Sequence, residues 1–174
     1  MKRDLQKAVD EVETTYKDLV DIANDMTAPL FEPINDVIKQ IDSNDGIYST
    51  SMDNIRTLLL KLSLQSYTLS ETKDKAGLKE QCAETLRKEA YAKSYALSSG
   101  TVAQRETSSQ IAISEEILVE AIYELVSASI KTKLDEVHRV VDTLKSILMS
   151  RVQEMKMTQN MSIGEVGERT YLVE

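Results

Sequence analysis

From Thr101 to Met157 the chain contains neither proline nor glycine, and this stretch limits the possible folds more than any other. Its apolar residues recur at helical spacing for many turns. At about 1.5 Å per residue, one uninterrupted helix here reaches roughly 85 Å. That is too long for the interior of a single compact domain of 174 residues. Such a helix has to lie along another long helix of its own chain, along a second copy, or along both. Its start is specified locally. Gly100 suits the left-handed conformation that closes a preceding helix, and Thr101 with Gln104 forms a capping box. From Tyr123 the seam Tyr123, Ser127, Ile130, Leu134, Val137, Val141, Leu144, Leu148, Arg151, Met155 advances by alternate steps of four and three. That near-heptad period keeps a seam facing a partner helix, so coiled-coil-like packing is expected. Leu134, Val137, Val141, Leu144, Leu148 and Met155 are the candidate oligomer interface. Upstream, Ile111, Ile117, Leu118, Ala121, Ile122 and Leu125 widen the apolar face.

The intrachain partner is sought in residues 51–98. Ser51 is a candidate N-cap and Asp53 favours the first turn. Ile55, Leu58, Leu59 and Leu62 begin a strong stripe, which Tyr67, Leu69, Ala76, Ala83, Leu86, Ala90 and Leu97 continue more weakly. Ser70 or Gly77 can interrupt it, so one bent helix or two helices are expected. Folding back at Gly100 makes an antiparallel hairpin. Before it, residues 3–26 read as an amphipathic helix, with Leu5, Val9, Val12, Tyr16, Leu19 or Val20, Ala23 and Met26 on one face. Pro29 should end that helix near Thr27 and Ala28. Pro33 should start a second, with Ile34, Val37, Ile38 and Ile41 on its apolar face. Ser43-Asn44-Asp45-Gly46 is a turn signal. In the tail, Gly164 and Gly167 break the pattern, and Ile163, Val166, Tyr171, Leu172 and Val173 suit a short strand, a docking segment or a disordered end. The fold class is therefore all-α, with acidic N-terminal helices in 1–50, a long helical hairpin in 51–157 and a C-terminal tail in 158–174.

The net charge of −8 is uneven. Residues 1–50 hold 5 basic and 11 acidic side chains, residues 51–110 hold 9 and 7, residues 111–130 hold none and 4, and residues 131–157 hold 6 and 4. Overall acidity argues against general nucleic-acid binding, which depends on neutralising phosphates. The two mildly basic stretches leave room for a local basic surface. No apolar run is long enough for a transmembrane helix. The first residues, Met1-Lys2-Arg3-Asp4-Leu5, lead into a charged amphipathic pattern without a signal-like apolar core. One cysteine excludes an intrachain disulfide and a cysteine-based zinc site.

No enzyme constellation is present in the sequence. His138 is the only histidine and reads as a partly exposed helix residue, and Cys82 as a half-buried structural thiol. Gly46, Gly77 and Gly100 are too isolated for a phosphate loop. The carboxylates Glu115, Glu116, Glu120 and Glu124 lack the Glu-x-x-His motifs of a di-metal bundle. No cofactor or metal is expected, and the chain is read as non-enzymatic. One polar cluster remains. In Arg87-Lys88-Glu89-Ala90-Tyr91-Ala92-Lys93-Ser94-Tyr95, Arg87, Tyr91 and Ser94 or Tyr95 fall on neighbouring turns, flanked by Lys88 and Lys93, with Arg105 past the turn. Basic residues interleaved with aromatics can follow a single-stranded backbone and stack its bases. The same spacing also suits tyrosines packing at the end of a hairpin.

This pattern, a basic and Tyr-bearing helix ending in Tyr95-Ala96-Leu97-Ser98-Ser99-Gly100, an Arg after the turn and a long helix beyond, resembles the recombination mediator family of T-even phages and similar small phage helical proteins. The resemblance covers about residues 80–157. It implies a non-enzymatic homo-oligomer that binds single-stranded DNA and loads a recombinase, with Arg87, Lys88, Lys93, Tyr95 and Arg105 as the DNA contacts. The acidic first 50 residues extend beyond the matching part, and Thr101-Val102-Ala103 makes the turn less basic than the family pattern. Two other readings stand beside it. One is a structural or assembly protein of a phage particle, working by helix–helix oligomerisation. The other is an acidic inhibitor of a host DNA-binding protein, acting through a surface that includes Asp18, Asp21 and Asp25. The expected location is the host cytoplasm for a mediator and the virion for an assembly protein.

Overall fold

The computed structural model describes residues 2–42 and 50–169, and among these the chain is all-α. Its elements are α1 (Lys2–Asp42), α2 (Met52–Leu97), α3 (Val102–Ala112) and α4 (Ser114–Arg169). None of these helices is long and apolar enough to cross a membrane. The turn expected over residues 43–46 lies outside the described residues.

α1 is one helix, where the prolines suggested two. Pro29 and Pro33 lack the N–H groups that would meet the carbonyls of Asp25 and Pro29, at a cost of roughly 3 kcal/mol each in a helix interior. Both prolines and Asp25 are exposed, so the freed carbonyls lie within reach of water. On the other face Ala23, Thr27, Ile34 and Val37 are buried. Full burial of an Ile or Val contributes about 1.5–3 kcal/mol, and this stripe runs past both prolines. Thr27 also donates its hydroxyl to the Ala23 carbonyl at 3.0 Å. Packing of the buried face outweighs the local preference of the residues before each proline.

α2 is likewise uninterrupted over 46 residues and passes through Ser70 and Gly77. Ser51 caps it as expected, accepting from the Asn54 N–H at 3.2 Å. Leu62, Leu69, Ala76 and Ala83 are all buried, each one heptad after the last. That repeat is strong enough to carry the helix through one glycine, which costs about 1 kcal/mol relative to alanine.

The organising stretch, in contrast, is two helices. α3 starts with the expected capping box: Thr101 N–H donates to Gln104 Oε1 at 3.0 Å, and Gln104 N–H to Thr101 Oγ1 at 3.4 Å. Gly100 has φ +117°, and a Cβ there would stand 2.6 Å from Gln104 Oε1. The break comes at Ile113, whose side chain is buried and whose carbonyl accepts the Ile117 N–H at 3.1 Å. Glu115 and Glu116 then sit in the first turn of α4, where the helix dipole favours negative charge. A new N-terminus is thus encoded without proline or glycine. Ser109 donates its hydroxyl to the Arg105 carbonyl at 2.7 Å and is the residue that α3 buries. At the far end α4 continues through Gly164 and Gly167 to Arg169, so Ile163 and Val166 belong to a helix and not to a strand. Tyr171, Leu172 and Val173 lie outside the described residues.

The chain forms two compact units. Unit 1 comprises Met1–Pro33 and Tyr67–Asp135, and unit 2 comprises Ile34–Ser66 and Glu136–Glu174. Unit 1 buries small residues, Ala23, Ala76, Ala83 and Ser109, together with Leu69, Ile113, Val126, Ile130 and Leu134. Unit 2 buries larger aliphatic side chains, Ile34, Val37, Ile55, Leu58 and Leu62 together with Val137, Val141 and Leu144. Most of the seam expected to face a second subunit is therefore covered within the chain. Leu134, Val137, Val141 and Leu144 are buried by its own helices, Leu148 is half-buried, and Met155 is exposed. Of the residues expected to widen the apolar face, Ile111, Ile117 and Leu118 are exposed and Ala121, Ile122 and Leu125 half-buried.

Candidate functional site

The five residues that suggested nucleic-acid contact lie in unit 1, around the C-terminal end of α2. Each helix end leaves backbone groups without intrahelical partners. Here Ser98 N–H donates to the Ser94 carbonyl at 3.0 Å and Ser98 Oγ to the same oxygen at 2.7 Å. The next carbonyl, of Tyr95, accepts from Arg105 Nη2 at 2.8 Å and Nε at 3.3 Å. The guanidinium carbon stands 4.1 Å from the centre of the Tyr95 ring. The Tyr91 and Tyr95 rings stack, with centres 6.1 Å apart and planes at 23°. Arg105 thus places a cation at the negative end of α2 and caps it from across the turn. Its planar fork bonds a carbonyl and stacks on a ring at once, which an ammonium does not do.

Arg87 is engaged as well. Its Nε meets the Glu120 carboxylate of α4, with the two side chains 30% and 24% exposed. Lys88 pairs with Glu84 one turn back at 2.5 Å on the exposed surface. That hydrogen bond, with the charge of Lys88 behind it, holds the Glu84 carboxyl below the usual carboxylate range. Lys93 is exposed. The structure therefore gathers Arg87, Lys88, Lys93, Tyr95 and Arg105 at one end of unit 1, but joins four of the five to internal partners. Acids neutralise two of the cations and a helix terminus takes up a third. The sequence spacing of basic and aromatic residues was visible, and Glu84 lies one helical turn before Lys88; Glu120, 33 positions from Arg87, comes to it only in the fold.

Other expected positions have simpler surroundings. His138 is exposed, and its Nε2 lies 3.0 Å from Ser66 Oγ in unit 2. Cys82, expected half-buried, is exposed. Among the described residues no three His, Cys, Asp or Glu side chains are grouped to hold a metal ion. In unit 2, Arg151 donates to the Thr50 carbonyl ahead of α2, so this polar member of the heptad seam also has a backbone partner.

The feature that the apolar pattern did not reveal is in α1. Every residue from Val9 to Asp18 is exposed. Val9, Val12 and Tyr16 prolong the stripe that is buried at Ala23 and Thr27, yet they are 49%, 68% and 63% exposed. Periodicity shows which face of a helix is apolar; it does not show where along the helix a partner stops covering it. Comparison with known families, characterised proteins and solved structures gives no match.

Proposed function

We propose that this protein is a non-enzymatic assembly protein that acts through helix–helix contacts in a homo-oligomer. Its working part is an antiparallel hairpin of α2 and α4 with coiled-coil-like packing. Three contacts support that arrangement: within unit 2 Thr50 meets Arg151 and Ser66 meets His138, and within unit 1 Arg87 meets Glu120. The observation that carries the functional reading is the set of apolar side chains left outside at helical spacing. On α2 these include Leu60 and Leu64, 63% and 62% exposed; on α4 they include Met155, 54% exposed and two turns beyond the half-buried Leu148. Exposed apolar rows of this kind mark association surfaces. Light scattering over a wide concentration range tests the reading. An oligomer that Leu148→Ser with Met155→Ser disperses is expected, and a monomer at every concentration would refute it.

A second reading, mediation of recombination on single-stranded DNA, is favoured by one observation: the stacked Tyr91 and Tyr95 lie within two positions of the exposed Lys93 on α2. Filter binding at low salt tests it. Retention of single strands that Lys93→Glu abolishes would support it, and no retention by the unmodified chain would end it.

A further inference from the structure

Cys82 is the centre of a symmetrical pattern on the outer face of α2 in unit 1. Stepping from it by four, three, four and four residues in either direction meets Leu78 and Leu86, then Lys75 and Glu89, then Glu71 and Lys93, then Tyr67 and Leu97. Steps of four, four and three make an 11-residue repeat of about 3.67 residues per turn. That is close enough to the 3.6 of a straight α-helix to keep the row on one face. Every position in it, Cys82 included, is exposed. Tyr67, Leu78, Leu86 and Leu97 are 68%, 63%, 61% and 87% exposed. On the opposite side of the same segment, Leu69, Ala76 and Ala83 are buried, and Arg87 pairs with Glu120 of α4. α2 therefore has one apolar face covered by its own unit and a second, bare one half a turn away.

The order of the charges along the bare face decides what fits it. A two-fold contact sets residue i against j and j against i. With the axis at Cys82, an antiparallel second copy places Leu78 against Leu86 and Tyr67 against Leu97. It also places Lys75 against Glu89 and Glu71 against Lys93, each pair occurring twice. Every charge on the row then meets its opposite. A parallel copy would bring Glu71 to Glu71 and Lys75 to Lys75, where like charges repel. We propose that the outer face of α2 from Tyr67 to Leu97 is a two-fold antiparallel contact with a second copy of this chain, centred on Cys82. At the helical rise the paired segments run together for about 45 Å. The contact rests on the self-association proposed above and deepens it, adding residues of unit 1 to those named in unit 2.

Cross-linking of the full chain tests the proposal. Leu78→Cys and Leu86→Cys, each in a Cys82→Ser background, are oxidised with diamide, which accepts the two electrons and two protons released as two thiols join. A mixture of the two variants should form a covalent dimer about tenfold faster than either alone, because position 78 lies opposite 86 and about 12 Å along the axis from its own copy. Leu78→Cys linking to itself as fast as the mixture would overturn the inference in favour of a parallel pair or random encounter. Light scattering reads the charges. Lys93→Glu should weaken self-association about tenfold, and adding Glu71→Lys should restore it. The double exchange opposes like charges one turn apart on the same helix, at 71 with Lys75 and at 93 with Glu89, so restoration is specific to the contact between copies. Failure to restore would overturn the inference. All these positions are exposed, and circular dichroism verifies that the variants stay helical. Self-association unchanged by Leu78→Ser with Leu86→Ser, but lost in Leu148→Ser with Met155→Ser, would overturn this contact and leave the assembly reading standing. A monomer at every concentration would overturn both.

Discussion

Replacing Arg105 by methionine separates a structural cation from a nucleic-acid contact. The substitution keeps an unbranched apolar stem and removes the fork that bonds the Tyr95 carbonyl at 2.8 and 3.3 Å. Hydrogen bonds from a charged donor contribute about 1.5–3 kcal/mol when desolvated, and a cation over an accessible ring about 0.5–1 kcal/mol. The residue is half-buried, so water recovers part of the carbonyl's loss when the arginine is gone. A net destabilisation of about 1–2 kcal/mol follows, measured by urea denaturation with amide exchange at Tyr95–Leu97 as the local readout. Tyr95→Leu serves as the comparison. It removes the ring but leaves the carbonyl bonds, so it should destabilise by no more than about 1 kcal/mol through the lost cation–π contact. Arg105→Lys should fall between the wild type and Arg105→Met, because an ammonium bonds the carbonyl without stacking. If Arg105→Met leaves both stability and exchange unchanged, Arg105 does not cap α2, and its charge is available for a ligand.

Gly77→Ala should stabilise the protein by about 0.8–1 kcal/mol in the same denaturation assay, since a Cβ at that position meets nothing within 4 Å; a loss of stability would show that α2 is not regular there. Glu120→Gln leaves the half-buried Arg87 without its carboxylate and should cost about 1 kcal/mol, with Arg87→Met recovering part of the loss in the double variant. The Glu84 carboxyl should titrate below its ordinary 4.5 by carbon-detected NMR and return toward that value in Lys88→Gln. Because its folded value is depressed, the stabilisation from this pair is complete above about pH 4.5 and is lost as pH falls through the folded value; a midpoint at or above 4.5 would contradict the pairing.

The fold class was legible because apolar period, caps and scarce breakers all pointed to helices. The capping box at Thr101, the left-handed Gly100 and the Ser51 cap are short-range devices, and each is read from a few adjacent residues. The errors have a common physical origin, the balance between local preference and packing. Pro29 and Pro33 lie on the exposed side of α1, where a missing hydrogen bond is tolerable and a continuous buried stripe prevails. Gly77 is carried through by its place beside the heptad of Leu62, Leu69, Ala76 and Ala83. At Ile113 the reverse occurs: a stretch without proline or glycine, but rich in the middling helix formers Thr107, Ser108, Ser109 and Ile111, stops where burial of one isoleucine and two first-turn acids favour a new start. The seam from Ile130 to Leu144 is buried within the chain, and a heptad by itself does not say whether the facing helix belongs to the same chain or to a second copy. The candidate basic cluster was found by composition, but its electrostatics depend on Glu84, Glu120 and the Tyr95 carbonyl, and only the folded chain brings the last two to the cations.

The most direct test is the mass of the protein in solution, measured by multi-angle light scattering from dilute to concentrated samples, with single-stranded DNA titrated into the same samples at low salt. An oligomer whose mass falls on Leu148→Ser with Met155→Ser, and which does not take up DNA, is the result expected of a helix–helix assembly protein. A monomer throughout that binds single strands, with affinity falling steeply as salt rises, would contradict it and return Lys93 and the tyrosine stack to the centre of its function.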